Sequence, residues 1–215
     1  MAQRRLRTVL ADLLRNLKEC RRLAIDAHKW SLPGAHGTRP YISQKRRDSM
    51  VEIAFLRAFL AWEIFVEESF ILYLCGQSPP SGRAPRRYAF PPNQTLAMQW
   101  VIPERRHFAE WTDPQEVIGR AGRFFHNGRP FEPVLRSNIH VLGDARTIRN
   151  AIAHMSLSAR LKFENLVRAK LTTLPSKLTV GGFLGTSVPG ATPPISFLDY
   201  YVDRIEFAAR QIVPS

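Results

Sequence analysis

The 215-residue sequence predicts an all-α fold, a single domain over residues 1–215 in which four core helices form a bundle around one insertion. The main observation is that apolar residues recur every three or four positions in several long segments, as in helices that bury one face. A second observation is that residues 76–135 lose this periodicity and become rich in proline, arginine and aromatic residues. Apolar residues make up 45% of the chain, enough to form a core.

The first predicted helix covers about residues 3–29. Its apolar residues share one stripe: Leu10, Leu13, Leu14, Leu17, Cys20, Leu23, Ala24 and Ala27. Its other face is basic: Arg4, Arg5, Arg7, Arg15, Lys18, Arg21 and Arg22. Over residues 1–50, 12 Lys and Arg stand against four Asp and Glu. Pro33, Gly34 and Gly37 end the helix.

The second predicted helix, about Asp48 to Cys75, is the most apolar stretch of the chain. Because apolar residues occur all round it, we expect the central and most buried helix of the bundle. Glu63 interrupts this helix, and an unpaired carboxylate there would be costly. We therefore expect Glu63 to pair with an arginine, Arg149 being one candidate; the alternative is a supporting role in a functional cleft.

Residues 76–135 are predicted to form an irregular insertion, because nine of the 16 prolines fall there. One short helix is indicated inside it, with Asp113 as N-cap, Pro114 at its first position and Glu116 completing a capping box. The arginines of this segment alternate with aromatic residues, a combination that suits single-stranded RNA. The residues that we expect to bind RNA are Arg86, Arg87, Arg105, Arg106, Arg120 and Arg123. Surface arginines over a small aromatic core are the alternative.

The C-terminal third is predicted to be mostly helical. A third long helix runs from about Glu132 to Met155, and Ser156 or Ser158 caps the next one. Residues 172–195 indicate a turn-rich connector with a short hairpin, and residues 196–213 a closing amphipathic helix.

The net charge of +13 and the isoelectric point of about 10.6 favour partners rich in phosphate, namely RNA, DNA or an anionic membrane surface. The two cysteines, Cys20 and Cys75, are expected to be free thiols rather than a disulfide or a zinc site. Neither a secretory signal nor an uncharged run long enough to span a bilayer occurs. We therefore expect a cytoplasmic protein, and RNA rather than a membrane as its partner.

The third helix carries the sequence TIRNAIAH, residues 147–154. At 100° per residue its core face is Val141, Ala145, Ile148, Ile152 and Met155. Arg146, Asn150 and His154 form a second stripe that faces away from the core, and Arg149 lies between the two. A solvated polar face is the simplest interpretation. However, this face has no acidic partners, and it combines a titratable imidazole, a fixed cation and an amide.

These residue types suit RNA cleavage by the 2′-hydroxyl of the RNA itself. His154 can act as general base or general acid, and Arg149 can stabilise the negative charge of the phosphorane. Asn150 can fix the imidazole tautomer or hold a phosphate oxygen, while Arg146 and Glu63 are assigned supporting roles. Because Arg149 and His154 lie ~140° apart on an ideal helix, we expect a second copy across a two-fold axis to complete the site.

The sequence RNAIAH (149–154) resembles the Arg-x(4–6)-His signature of the HEPN superfamily, including the asparagine that often follows the arginine. FLAWEIFVEE and FLDYYVDRIEFAARQI are similar to segments of stand-alone bacterial HEPN proteins. The resemblance covers the four bundle helices, about half of the chain, and leaves out the insertion.

The resemblance implies a HEPN-like bundle and a homodimer that brings Arg149, Asn150 and His154 of each subunit into one cleft. It implies a metal-independent endoribonuclease without cofactor, acting as a toxin or anti-phage effector, with an antitoxin or regulatory protein as a further partner. The alternative is a non-catalytic HEPN-like module that binds nucleic acid or nucleotides.

Overall fold

The computed structural model describes residues 4–34, 39–103, 108–154, 156–171 and 173–215. Over these ranges the chain is helical and contains no β-strand. The extended pairings there are two isolated bridges, Arg87 with Phe125 and Ser187 with Ser196. The all-α prediction is confirmed for the described residues. Among their helices, not one combines the length and apolar character that crossing a bilayer requires.

The helices follow one another as α1 Leu6–Trp30, α2 Gln44–Leu74, α3 Gln94–Val101, α4 Pro114–Phe124, α5 Phe131–Ser137, α6 Ile139–Ala153, α7 Leu157–Leu171, α8 Val180–Gly185 and α9 Phe197–Ile212, with a 3₁₀ helix at His126–Gly128. The chain divides into two compact units. The first unit consists of residues 1–15, 61–143 and 204–215, and the second of residues 16–60 and 144–203. The assignment of the whole chain to one domain stays a prediction.

The insertion at 76–135 is more regular than predicted, because it contains α3 and the first residues of α5 besides the predicted short helix, α4. The reason is an aromatic core within the first unit. The ring of Phe70 lies 5.3 Å from that of Trp111, 4.9 Å from Phe125 and 5.0 Å from Phe131. Burying such rings stabilises the short helices that carry or flank them. The predicted cap is confirmed, since Asp113 Oδ1 accepts a hydrogen bond of 2.9 Å from the backbone N–H of Gln115.

The predicted third helix, Glu132 to Met155, is two helices, because the chain leaves helical geometry at Asn138. The buried side chain of Asn138 donates a 2.9 Å hydrogen bond to the carbonyl of Val134. An asparagine that bonds to the backbone in this way competes with helix continuation. The single long helix was therefore a wrong prediction, and Met155 lies outside the described residues.

The second unit is built around another set of aromatic rings. Phe183 stacks on Phe197 with centroids 4.4 Å apart, and Phe163 meets Phe183 edge to face at 5.7 Å. Phe183 belongs to α8, a helix inside the 172–195 segment that we predicted as a connector. Instead of a hairpin of two strands, the end of this segment has an isolated bridge between Ser187 and Ser196, next to a 2.9 Å hydrogen bond from Val188 N to the carbonyl of Ile195.

Helix α2 is not buried on all sides, contrary to the prediction from its apolar character. In the second unit it buries Ala54, Phe55 and Ala58 completely, yet Ile53 is 51% and Leu60 is 53% exposed. We call Ile53 and Leu60, seven positions apart, the α2 aliphatic face. These two large aliphatic side chains lie at helical spacing and are open to solvent.

Candidate active site

The end of α6 presents the predicted catalytic residues. Ala145 and Ile148 are buried and hold this part of the helix against the core of the second unit, as the core stripe predicted. Arg149 and Asn150 are half-buried, and His154 is exposed as the first residue after the helix. Towards its ends the predicted core stripe is less buried, because Val141 and Ile152 are only half-buried.

The three residues converge within one chain. Nη1 of Arg149 donates a 3.1 Å hydrogen bond to Oδ1 of Asn150 and lies 3.5 Å from Nε2 of His154. The backbone N–H of His154 donates a 2.9 Å bond to the carbonyl of Asn150. The two side chains therefore meet within one chain, although they lie ~140° apart on an ideal helix, and the expectation that a second copy completes the site stays a prediction. An ideal-helix angle describes Cβ directions, and the long arginine side chain reaches across that angle towards a histidine beyond the helix end.

This arrangement assigns separate tasks to the three side chains. A neutral imidazole can accept or donate a proton near neutral pH. A guanidinium offers several donors in a planar fork and suits anionic oxygens. Asn150 contacts the guanidinium rather than the imidazole through its side chain, so it orients the cation. The local geometry thus places a proton-transfer group beside an anion-binding group, open to solvent.

The two supporting residues are both half-buried. Arg146 lies one turn before Asn150 on α6. Glu63 belongs to the first unit, where its charge contributes to a raised pKa of Glu67. Burial is the main cause of that raised pKa, the charges of Glu63 and Glu68 add to it, and the guanidinium of Arg120 opposes it. The proposed pairing of Glu63 with Arg149 stays a prediction.

Arg120 is not available to RNA, which corrects its assignment as an RNA-binding residue. It is 0% exposed, and its guanidinium carbon lies 4.3 Å from the centre of the Trp111 ring. Nη1 donates a 3.1 Å hydrogen bond to the carbonyl of Glu110. Stacking on an indole and bonding to a backbone carbonyl hold the guanidinium inside the protein, so Arg120 belongs to the core of the first unit.

Arg87 also has a structural contact. Its Nη1 donates a 2.7 Å hydrogen bond to the carbonyl of Leu74, the last residue of α2, and its guanidinium lies 4.9 Å from the Phe90 ring. A cation at the C-terminal end of a helix bonds to carbonyls that have no partner within the helix. Arg87 thus caps α2, and only a part of its side chain remains exposed.

Arg86 and Arg123 are both exposed residues of the first unit. The backbone carbonyl of Arg86 accepts a 3.0 Å hydrogen bond from the N–H of His126. Tyr88 and Phe90 are exposed beside Arg86 in the chain. Exposed cations close in sequence to exposed rings are the combination that single-stranded nucleic acids require. Arg105 and Arg106, also predicted to bind RNA, lie outside the described residues.

Sequence patterns did not indicate a cavity in the second unit, of about 650 Å³, whose walls come from α1, α2, residues 175–186 and the start of α9. These segments are far apart in the chain, so no local motif marks the cavity. Over the described ranges, no three His, Cys, Asp or Glu side chains lie close enough together to hold a metal ion.

No protein-family model, no curated protein and no solved structure matches this chain. The likeness to HEPN proteins therefore rests on the residues of the sequence, and the chemistry of the site rests on its geometry.

Proposed function

We propose that this protein is a metal-independent endoribonuclease of the HEPN type, with Arg149 and His154 as its catalytic residues. One observation carries the proposal: Nη1 of Arg149 lies 3.5 Å from Nε2 of His154 at the solvent-exposed end of α6. A charge of +13 supports a polyanionic substrate such as RNA.

In the proposed reaction, the 2′-hydroxyl of the RNA attacks the adjacent phosphorus in line. His154 accepts the proton of this hydroxyl, or gives a proton to the departing 5′-oxygen. Arg149 stabilises the additional negative charge of the phosphorane, and Asn150 holds the guanidinium in place. The bond from phosphorus to the 5′-oxygen breaks, so the products are a 2′,3′-cyclic phosphate and a 5′-hydroxyl.

A homodimer is part of the proposal. Each copy supplies one Arg149–His154 pair, and two facing pairs provide the base and the acid that in-line cleavage uses. The exposed α2 aliphatic face supports self-association, because a second copy would remove Ile53 and Leu60 from water. The biological role that fits is a cytoplasmic toxin or anti-phage effector, held in check by an antitoxin or regulatory protein.

The test is incubation of total RNA with the purified protein in EDTA. We expect wild-type protein to produce fragments that end in 2′,3′-cyclic phosphates, and His154→Ala and Arg149→Ala to be slower by about 100-fold or more. His140→Ala is the matched control, since His140 is an exposed histidine at the other end of α6, and its rate should equal that of the wild type. If His154→Ala cuts RNA at the wild-type rate in EDTA, the proposed chemistry is wrong.

Mixing the two inactive variants asks which chains supply the pair. If the arginine and histidine act from the same chain, Arg149→Ala mixed with His154→Ala stays inactive, because neither protomer holds a complete pair. If they act from opposite chains and a single imidazole suffices for cleavage, half of the dimers would hold one complete site, and activity would return to about a quarter of the wild-type value. The 3.5 Å distance within one chain predicts the first result.

A second candidate is a non-catalytic module that binds nucleic acid or nucleotides. Exposed Arg86, Tyr88 and Phe90 favour it, because cations and rings can hold RNA without cutting it. Protein that retards RNA with a steep dependence on salt, but yields no fragments, would support this candidate over the nuclease.

A further inference from the structure

The cavity of the second unit has a volume of about 650 Å³, within the range of small-molecule sites. It lies between the C-terminal half of α1, the first two turns of α2, the segment 175–186 and the first residues of α9. None of the predicted catalytic residues lines it. Its function is therefore separate from the proposed RNA cleavage and does not rest on it.

The wall formed by α1 changes in character along the helix. Its lining residues begin with Arg21, which lies 3.8 Å from Asp199, and continue through Ala24 and Ile25 to His28 and Lys29 one turn later. Ile25 is 52% exposed, an unusual state for an isoleucine in the wall of a cavity, and it offers aliphatic surface to a ligand. Beyond Arg21, whose charge faces Asp199, the α1 wall thus passes from an aliphatic part to a basic end.

The wall formed by α2 changes in the same way. Gln44 and Arg47 line the cavity in the first turn of α2, and Val51 lines it one turn later. The N–H of Ile42 donates a 3.1 Å hydrogen bond to the carbonyl of Trp30, which ties the end of α1 to the segment before α2. The basic ends of the two walls therefore lie together, and so do the aliphatic parts.

The charges at the basic end differ in how they are neutralised. Nε and Nη2 of Arg47 donate to Oδ1 of Asp48, at 3.0 and 2.7 Å. Lys29 and Lys177 form no ion pair with any carboxylate of the described residues. Asp199, the carboxylate in the lining, lies 3.8 Å from Arg21. Two ammonium groups are thus left to attract an anion.

The aliphatic part of the lining consists of Leu178, Leu184 and Leu198 together with Val51 and Ile25. Phe183 is the one aromatic residue among the lining side chains, and it is almost fully buried between Phe163 and Phe197. A nucleobase is normally stacked on an exposed ring, and the buried Phe183 offers no such face. The aliphatic part of the lining suits an aliphatic chain of a ligand.

From these observations we infer that the cavity binds an anionic amphiphile, a molecule with a medium-length aliphatic chain and a carboxylate or phosphate head. The head lies between Lys29 and Lys177, and the chain lies against Ile25, Val51 and Leu184. The lining residues of α1 extend from Arg21 to Lys29, a rise of about 12 Å at 1.5 Å per residue, which accommodates a chain such as a decyl group.

Calorimetric titration of the full chain tests the inference, with each ligand kept below the concentration at which it forms micelles. Decanoate and decyl phosphate should both bind with one site, and the tighter of the two identifies the head group as carboxylate or phosphate. Decanol and decylammonium, with the same chain, should bind at least about tenfold more weakly. Equal affinity for decanol and decanoate, or no binding of either anion, would overturn the inference.

Two sets of variants locate the site. Lys29→Glu combined with Lys177→Glu should weaken both anions about tenfold or more, while decanol changes little. Lys18→Glu combined with Lys45→Glu is the matched control, because both lysines are exposed and neither lines the cavity, and it should retain wild-type affinity. If the control loses as much affinity as the test pair, only the overall charge of the protein matters and the site is wrong.

Ala24→Phe places a ring in the aliphatic part and should abolish binding of all four ligands. A melting curve shows whether this variant is folded; if it is not, the charge variants still decide. Saturable binding of an acidic, leucine-rich peptide without binding of either anion would assign the cavity to a protein segment. Adenosine monophosphate binding more tightly than decyl phosphate would assign it to a nucleotide. Either result overturns the inference.

Discussion

Gly181 is the residue whose replacement tests most directly how the second unit is assembled. The second residue of α8, it lies against the backbone of Asp48 in α2. A Cβ atom at Gly181 would lie 2.5 Å from the carbonyl carbon of Asp48 and 2.6 Å from its Cα, with the carbonyl oxygen closer still. Both partners are backbone, so no flexible side chain can move aside. Gly181→Ala therefore requires α8 to move away from α2.

The size of the effect follows from what that movement disrupts. Ordinary contact begins at 3.4 Å, so relieving the contact with the carbonyl carbon alone requires a shift of about 0.9 Å, and the closer carbonyl oxygen requires more. The shift would lengthen two hydrogen bonds that join the α8 region to carboxylates of α2. Gly181 N donates to Glu52 at 2.9 Å, and Thr179 Oγ1 donates to Asp48 at 2.8 Å. Weakening such bonds and overpacking the contact should lower the free energy of unfolding by about 3 kcal/mol. For a chain of this size the melting temperature should fall by about 10 °C.

The matched control is Gly185→Ala in the same short helix. Nothing lies within 4 Å of a Cβ atom at Gly185, so this change should be neutral or stabilise by up to about 1 kcal/mol. Thermal and urea unfolding of the three proteins, followed by circular dichroism, measures both effects. Equal melting temperatures for Gly181→Ala and Gly185→Ala would refute the close approach of α8 and α2.

Other features of the structure lead to three further predictions. Leu60→Glu should convert a dimer to a monomer in light scattering, because it places a charge on the α2 aliphatic face, whereas Tyr41→Glu, at a fully exposed loop residue, should not. Arg120→Ala should lower the free energy of unfolding, measured in urea, by about 3 kcal/mol, because Arg120 is buried against Trp111. Arg123→Ala, at an exposed residue, should change it by less than about 0.5 kcal/mol and should instead reduce the salt dependence of RNA binding. Equal losses of stability would contradict the assignment of Arg120 to the core. The folded protein raises the pKa of Glu67 above its ordinary 4.5, so the folded state loses stability as the pH rises through that pKa. Glu67→Gln should accordingly raise the melting temperature at pH 7, and this gain should vanish below about pH 4; a gain independent of pH would rule out titration as the cause.

The helices were predictable wherever one periodic stripe determines burial. The stripes of α1 and α9 and the cap at Asp113 indicated the right elements, because these signals are local. Apart from α4, the helices of the insertion could not be predicted from local patterns. They depend on the contacts of Phe70 with rings that are distant in the chain. The burial of Arg120 was hidden for the same reason: its stacking partner Trp111 lies outside the helix that carries it, and composition does not distinguish a stacked arginine from an exposed one.

The candidate site shows a different limit of sequence reasoning. Residue types and spacing made Arg149, Asn150 and His154 the candidate residues, and the helical angle between the first and the last suggested that they diverge. The angle failed because α6 ends at Ala153, before the histidine, and because the arginine side chain is long. The cavity of the second unit was out of reach for another reason, since its lining comes from four segments and none of them is unusual by itself.

The contact between Arg149 and His154 changes what a second copy of the chain would contribute. Had the two side chains diverged, the dimer would have been needed to bring a cation to the imidazole. Since one chain already does this, charge stabilisation in the proposed reaction would not depend on the partner. In-line cleavage still needs two proton transfers, one from the 2′-hydroxyl and one to the 5′-oxygen, and the described contacts of Arg149 include a single imidazole. A second His154 would supply the missing acid or base, so the proposed dimer is a requirement of proton transfer rather than of anion binding.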